Sequence, residues 1–133
     1  MSYDIELKDP VSGEIIQFDF PHQMRGGNYV VGGTTEARMN ITYNYSRWYY
    51  KAFGNKGIRT IYEMTGTDSI PVLENAITFL KNLQENLTEE EIEEYKNHSE
   101  RGYWMPAREN AIKPLYQLLA MAKMRPDGVW DGD

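Results

Sequence analysis

From Glu36 to Tyr45 the chain alternates without a break. Ala37, Met39, Ile41, Tyr43 and Tyr45 fall on one side, and Arg38, Asn40, Thr42 and Asn44 on the other. A period of two is the pattern of a strand with one buried face. It runs with no spacer into Ser46–Phe53, SRWYYKAF, which reads as a short helix capped by Ser46 and stopped by Gly54. A strand feeding straight into an aromatic helix leaves the chain few ways to fold, because both apolar faces must meet one core.

The rest of the chain supplies that core. Tyr3, Ile5 and Leu7 alternate with Asp4 and Glu6, and Ile16, Phe18 and Phe20 alternate with Gln17 and Asp19. Between them Pro10 suits a turn and Gly13 a position of positive φ, so a β-hairpin is expected, with strand 36–45 pairing beside it. Ile70, Leu73, Ala76, Ile77, Leu80 and Leu83 recur at helical spacing, with Ser69 as a cap and Pro71 in a first turn. Ala111, Ile112, Leu115, Leu118, Leu119 and Ala122 mark a last helix near 107–124, with a kink or restart expected at Pro114. The tail RPDGVWDGD reads as two turns with one apolar anchor, Trp130, docked on the body or on a partner. Strands first and helices after, with no repeat or linker, predict a single α+β domain over 1–133. Its small, mainly antiparallel sheet is covered by C-terminal helices.

Composition narrows the function classes. The chain has no cysteine, which removes disulfides and thiolate chemistry and points to the cytoplasm. No apolar run approaches the length of a membrane span, and the start lacks the order of a signal peptide. The net charge of −6 argues against general nucleic-acid binding. That charge is uneven. Arg25, Arg38, Arg47, Lys51, Lys56 and Arg59 face a single Glu36 between Phe20 and Thr60, whereas seven glutamates face Lys96 between Glu85 and Glu100. A cationic island in an acidic chain either steers an anion to one place or pairs internally with the acidic segment.

The spellings YDIEL, GGTTEA, NITYNYS, GIRTIY and RPDGVWDGD resemble those of a family of small phage- and prophage-associated bacterial proteins. The resemblance covers nearly the whole chain and brings no activity and no catalytic residue with it. What it implies is a setting: small phage proteins of the host cytoplasm are often counter-defence factors that inhibit a host protein or sequester a nucleotide signal.

The residues themselves allow a nucleotide-like ligand. Tyr43, Tyr45, Trp48, Tyr49 and Tyr50 offer rings for stacking, Arg38, Arg47 and Arg59 offer planar donors, and Asn40 and Asn44 offer amides for base or ribose edges. Stacking is worth about 1 to 3 kcal/mol per base and a charge-assisted hydrogen bond about 1.5 to 3, so a few of each suffice for useful affinity. Equally, the tyrosines can be core filler and the arginines partners of the glutamates. The expected ligand set is Arg38, Asn40, Asn44, Arg47, Trp48 and Arg59, in a homo-oligomeric protein that captures a small anionic ligand without chemistry and without a cofactor. Two alternatives stand beside it: an inhibitor that contacts a host protein through the acidic 85–100 segment or an aromatic surface, and a small nucleotide-processing enzyme. His22 and His98 lack ligand spacing for a metal, the aspartates near Gly128 and Gly132 lack that of a calcium loop, and no catalytic motif is spelled.

Overall fold

The computed structural model describes residues 2–22, 34–82, 90 and 108–133. Its centre is β1, Ser2–Lys8, whose odd-numbered residues Tyr3, Ile5 and Leu7 are buried while the even ones face away. On one side β1 pairs antiparallel with β4, Arg38–Thr42, with Ile5 opposite Met39 and Glu6 opposite Arg38. On the other it pairs antiparallel with β5, Val129–Gly132, with Leu7 opposite Trp130. The sheet order is β4-β1-β5. The strands β2, Gln17–His22, and β3, Thr34–Glu36, form a second, two-stranded antiparallel sheet.

The hairpin expected at the start is therefore only a stub. Its turn forms: Asp9 N–H donates to the Glu14 carbonyl at 2.8 Å, and Gly13 takes a φ of 73° that a side chain would resist. Lys8 bridges Ile15, and Ile16 N–H reaches the Leu7 carbonyl at 3.0 Å. There the ladder ends, because Leu7 N–H is already given to the Ala37 carbonyl and Ala37 N–H to that of Ile16, both at 2.8 Å. The corner shared by Leu7, Ile16 and Ala37 releases β2 to pair with β3.

The alternating stretch also ends early. After Thr42 the chain turns into a 3-10 segment, Tyr43–Tyr45, because the Thr42 hydroxyl accepts from Asn44 N–H and caps it. Helix α1, Ser46–Phe53, follows and stops at Gly54. Tyr45, rather than Ser46, holds its N-cap position, with no side-chain cap. A second 3-10 segment, Gly57–Ile61, leads to α2, Gly66–Lys81, where Thr65 is the cap and accepts from Asp68 N–H at 3.1 Å. Ser69 lies inside the helix and Pro71 falls in its second turn. The last helix, α3, Arg108–Met124, continues through Pro114 rather than restarting there.

Helices α2 and α3 pack together on the apolar face of the main sheet. Leu73, Ala76, Leu80, Leu115, Leu118 and Ala122 meet Ile5, Leu7, Met39, Ile41 and Trp130, all within 1 % of full burial. Each of the leucines, isoleucines and Met39 contributes about 1.5–3 kcal/mol of transfer free energy, which makes this contact the main source of stability. The tail is a strand, not a pair of loose turns. Trp130 N–H donates to the Met64 carbonyl at 3.0 Å and its carbonyl accepts from Glu63 N–H at 2.8 Å, so β5 is laced between β1 and the approach to α2. Among the described residues no helix is long and apolar enough to cross a membrane.

Candidate functional site

The expected ligand residues come to rest in different settings. Arg38 and Asn40 lie on the face of the main sheet that turns away from the helices, in register with Glu6 and Asp4 of β1. Arg38 Nη1 lies 3.8 Å from Glu36, and the Asn40 amide donates to Ser2 Oγ at 2.7 Å and to Asp4 Oδ1 at 2.8 Å. Across β1, Asp131 shares the rung of Glu6 and binds Lys8 at 2.7 Å. Carboxylates of Asp4, Glu6 and Asp131 thus outnumber the cations of Lys8 and Arg38 on this face. The polar side of β4 is an acidic ladder, and the Asn40 amide is spent within it.

Trp48 goes to the core, 1 % exposed, because α1 turns Trp48 and Tyr49 inward and Tyr50 outward. The Tyr49 hydroxyl donates to the Ala111 carbonyl at 2.8 Å, which ties α1 to α3. Burial, and then the neighbouring tyrosines, hold the Tyr49 phenol well above its ordinary pKa. Arg47 lies over the indole of Trp48, 4.8 Å from its centroid, and Asn44 is exposed.

Arg59 is differently placed. Its guanidinium carbon stands 4.8 Å from the ring centroid of Tyr3 and 5.8 Å from that of Tyr43, and those two rings meet edge to face at 4.6 Å. Nη2 reaches the Tyr43 hydroxyl at 3.4 Å, and Nε donates to the main-chain oxygen of Asp133 at 3.1 Å. Among the described residues Arg59 makes no ion pair with a carboxylate side chain. The Tyr3 hydroxyl is 2.6 Å from Ser46 Oγ. Burial holds the Tyr3 phenol above its ordinary value, against the opposing pull of Ser46. Tyr62 completes the corner. Its hydroxyl is buried with no hydrogen-bond partner among the described residues, and burial followed by the Asp133 charge pushes its pKa up.

The corner therefore offers a planar cation seated on aromatic rings, three phenols and the Ser46 hydroxyl. Such a set has the donors and the charge that an oxyanion requires. Of the expected residues it takes in Arg59. Asn40 joins it only indirectly, since Asp4, its acceptor, gives its own N–H to Asp133 Oδ1 at 2.9 Å. Tyr3, Ser46, Tyr62 and Asp133 were not in the expected set. The signal for Tyr3 and Tyr62 is the aromatic spelling of YDIEL and GIRTIY, and nothing in the sequence says that these segments meet Ser46 and Asp133.

Elsewhere the described residues line open grooves. One, of about 410 Å³, is walled by Gln17, Phe18, Asp19, Phe20, Met124 and Arg125. Another lies along the seam of α2 and α3, between Glu74, Lys81, Tyr116 and Lys123. Neither includes any of the six expected residues. No group of three or more metal-ligating side chains is placed for a metal among the described residues. The acidic run 85–100 apart from Glu90, the glycine-rich 23–33 with Arg25, and His98 and Trp104 lie outside the described residues.

No protein-family model, curated protein or solved structure matches the chain.

Proposed function

We propose that this protein binds a small anionic, nucleotide-like ligand at the Arg59 corner and holds it without chemistry. One observation carries the reading: the Arg59 guanidinium lies within cation–π reach of the Tyr3 and Tyr43 rings and makes no ion pair with a carboxylate side chain among the described residues. An arginine seated against rings in this way keeps its charge and presents its remaining donors to an oxyanion. Exposed Tyr50, whose ring closes on Gly57 beside the corner, supplies a face for a base. Arg59 is singled out from the cationic island because two phenol rings and the Tyr62 hydroxyl gather around it, whereas Arg38 sits among carboxylates. Sequestration of a host nucleotide signal by a phage protein of the cytoplasm is the setting in which such a site is useful.

The test is a thermal-shift panel of linear and cyclic nucleotides, followed by recovery of the ligand from denatured protein. At a ligand concentration of 100 times Kd the stabilisation is about 2.7 kcal/mol, a rise in Tm on the order of 5–10 °C for a domain of this size. Arg59→Ala is expected to abolish the rise, and the ligand is expected back intact. A converted ligand would make the protein an enzyme instead, and a shift that survives Arg59→Ala would move the site elsewhere.

A second reading, contact with a host protein, is favoured by the groove between β2 and the end of α3. Phe20 is 80 % exposed and Met124 57 % exposed there, an open apolar patch of the kind that marks interaction surfaces. Absence of any response across the nucleotide panel favours this reading.

A further inference from the structure

The Arg59 corner contains its own occupant. Pairing of β5 with β1 ends at the Ile5–Gly132 rung, and Asp133, beyond it, is exposed. Three bonds hold that residue: Arg59 Nε to its main-chain oxygen at 3.1 Å, Asp4 N–H to its Oδ1 at 2.9 Å, and its own N–H to the Asp4 carbonyl at 3.4 Å. An oxygen acceptor is thus already seated on the guanidinium that the proposed ligand requires. Directly before it, Gly132 lies so close to the Tyr62 phenol that a Cβ there would stand 2.6 Å from Tyr62 Cζ and from its hydroxyl oxygen. The backbone at Gly132 is what covers that hydroxyl, which is left with no acceptor among the described residues.

A buried hydroxyl without a partner calls for an explanation, because native structures rarely leave one. Here the explanation and the Arg59 contact point the same way, since one short segment both fills the donor of Arg59 and hides the donor of Tyr62. Ends of strands open locally at little cost compared with global unfolding. Resting on the reading above, we infer that Gly132–Asp133 is a displaceable cover over a two-donor oxyanion site. The ligand is a phosphate or carboxylate with two adjacent acceptor oxygens, one replacing the Asp133 oxygen on Arg59 and the other accepting from the Tyr62 hydroxyl. Binding and cover release are then linked, and anything that loosens Asp133 raises affinity.

The experiment measures binding of inorganic phosphate, acetate, adenosine monophosphate and adenosine to the full chain by calorimetry. It compares the wild type with Asp133→Ala, Tyr62→Phe and Arg59→Ala. Asp133→Ala removes the acceptor of Asp4 N–H and is expected to tighten phosphate and adenosine monophosphate about threefold or more, as the closed fraction falls. Tyr62→Phe is expected to weaken them about fivefold or more by removing one donor, with no loss of Tm. Acetate binding shows that a carboxylate suffices, and phosphate binding without acetate restricts the class to phosphates. Adenosine alone is expected not to bind. If Arg59→Ala abolishes binding but either other variant matches the wild type within about twofold, the cover is refuted while the proposed site stands. If neither the wild type nor Asp133→Ala binds any of the anions, or if Arg59→Ala binds as the wild type does, both fall.

Discussion

Trp130 and Asp133 sit three residues apart at the end of the same chain segment, and the structure treats them in opposite ways. Trp130 is fully buried and every polar group on it is matched. Its N–H meets Met64, its carbonyl meets Glu63, and its indole Nε1–H donates at 2.8 Å to Ser69 Oγ, which in turn donates to the Gly66 carbonyl at 2.8 Å. Asp133 is exposed, and beside it lies a phenol with no hydrogen-bond partner among the described residues. Complete satisfaction marks a place whose task is to hold the fold. A phenol with no partner among the described residues, next to a cation held by rings and a main-chain oxygen, marks the place where the ligand site is proposed. Trp130 lies within β5 and Asp133 just beyond it, so the two can be tested separately.

The comparison breaks most visibly at the anchor. Trp130→Ala is expected to cost about 3–5 kcal/mol, as large aromatic truncations in cores do. That is a large share of the 5–15 kcal/mol typical of a domain, so the cooperative urea transition should move far down or vanish. A loss under about 1 kcal/mol would show that the tail is decoration and not an anchor.

Hydrogen bonding at the two ends then differs in sign. Ser69→Ala strands the indole N–H in the core and is expected to cost about 1–3 kcal/mol. Tyr62→Phe removes a hydroxyl that has no partner, and is expected to leave stability unchanged or to raise it by up to about 1 kcal/mol. Equal losses at the two positions would erase the distinction between anchor and site.

How far these features could be read from sequence depends on the range over which each is determined. The strands around Ile5 and Met39 and the two long helices were legible, because period two and period 3.6 are local signals. The start of α2 was misplaced by four residues. Ser69 looked like a cap in front of the apolar stripe, whereas its hydroxyl is needed inside the helix for Trp130, and Thr65 caps instead. In RPDGVWDGD the composition is that of turns. Only β1, more than 120 positions earlier at the Leu7–Trp130 rung, makes it a strand. The same distance hid the corner. Arg59 was recognisable as a donor, but its rings, its acceptor and its orphan phenol come from residues 3, 43, 62 and 133. Trp48 was placed in the ligand set because SRWYYKAF offers aromatic side chains in sequence without showing which of them turns inward.

Acid offers the gentlest separation of the two ends. Asp131 lies between them, and its carboxyl is held below the ordinary aspartate value by the Lys8 ammonium first and then by Gly132 N–H. Asp127 is lowered mainly by Arg125, and Asp9 by the Ser12 and Val11 amides and then by Arg125. A carboxyl whose folded pKa is depressed adds stability that is present above its unfolded value, about 3.9, and is lost as pH falls through the folded value. All three are substantially exposed, so the effect is small beside the substitutions above. It is nevertheless directional. Protonating Asp131 frees it from Lys8 next to the Gly132–Asp133 end, while the Trp130–Ser69–Gly66 chain contains no group that titrates there. Amide exchange at Gly132 and Asp133, compared between pH 5 and pH 3 after correction for the intrinsic rate, is expected to lose protection before Trp130 N–H does. Asp131→Asn should show the loosened end already at pH 5 and little further change on acidification. Simultaneous loss at Gly132 and Trp130 would mean that β5 opens as one unit, and that the anchor does not isolate the site.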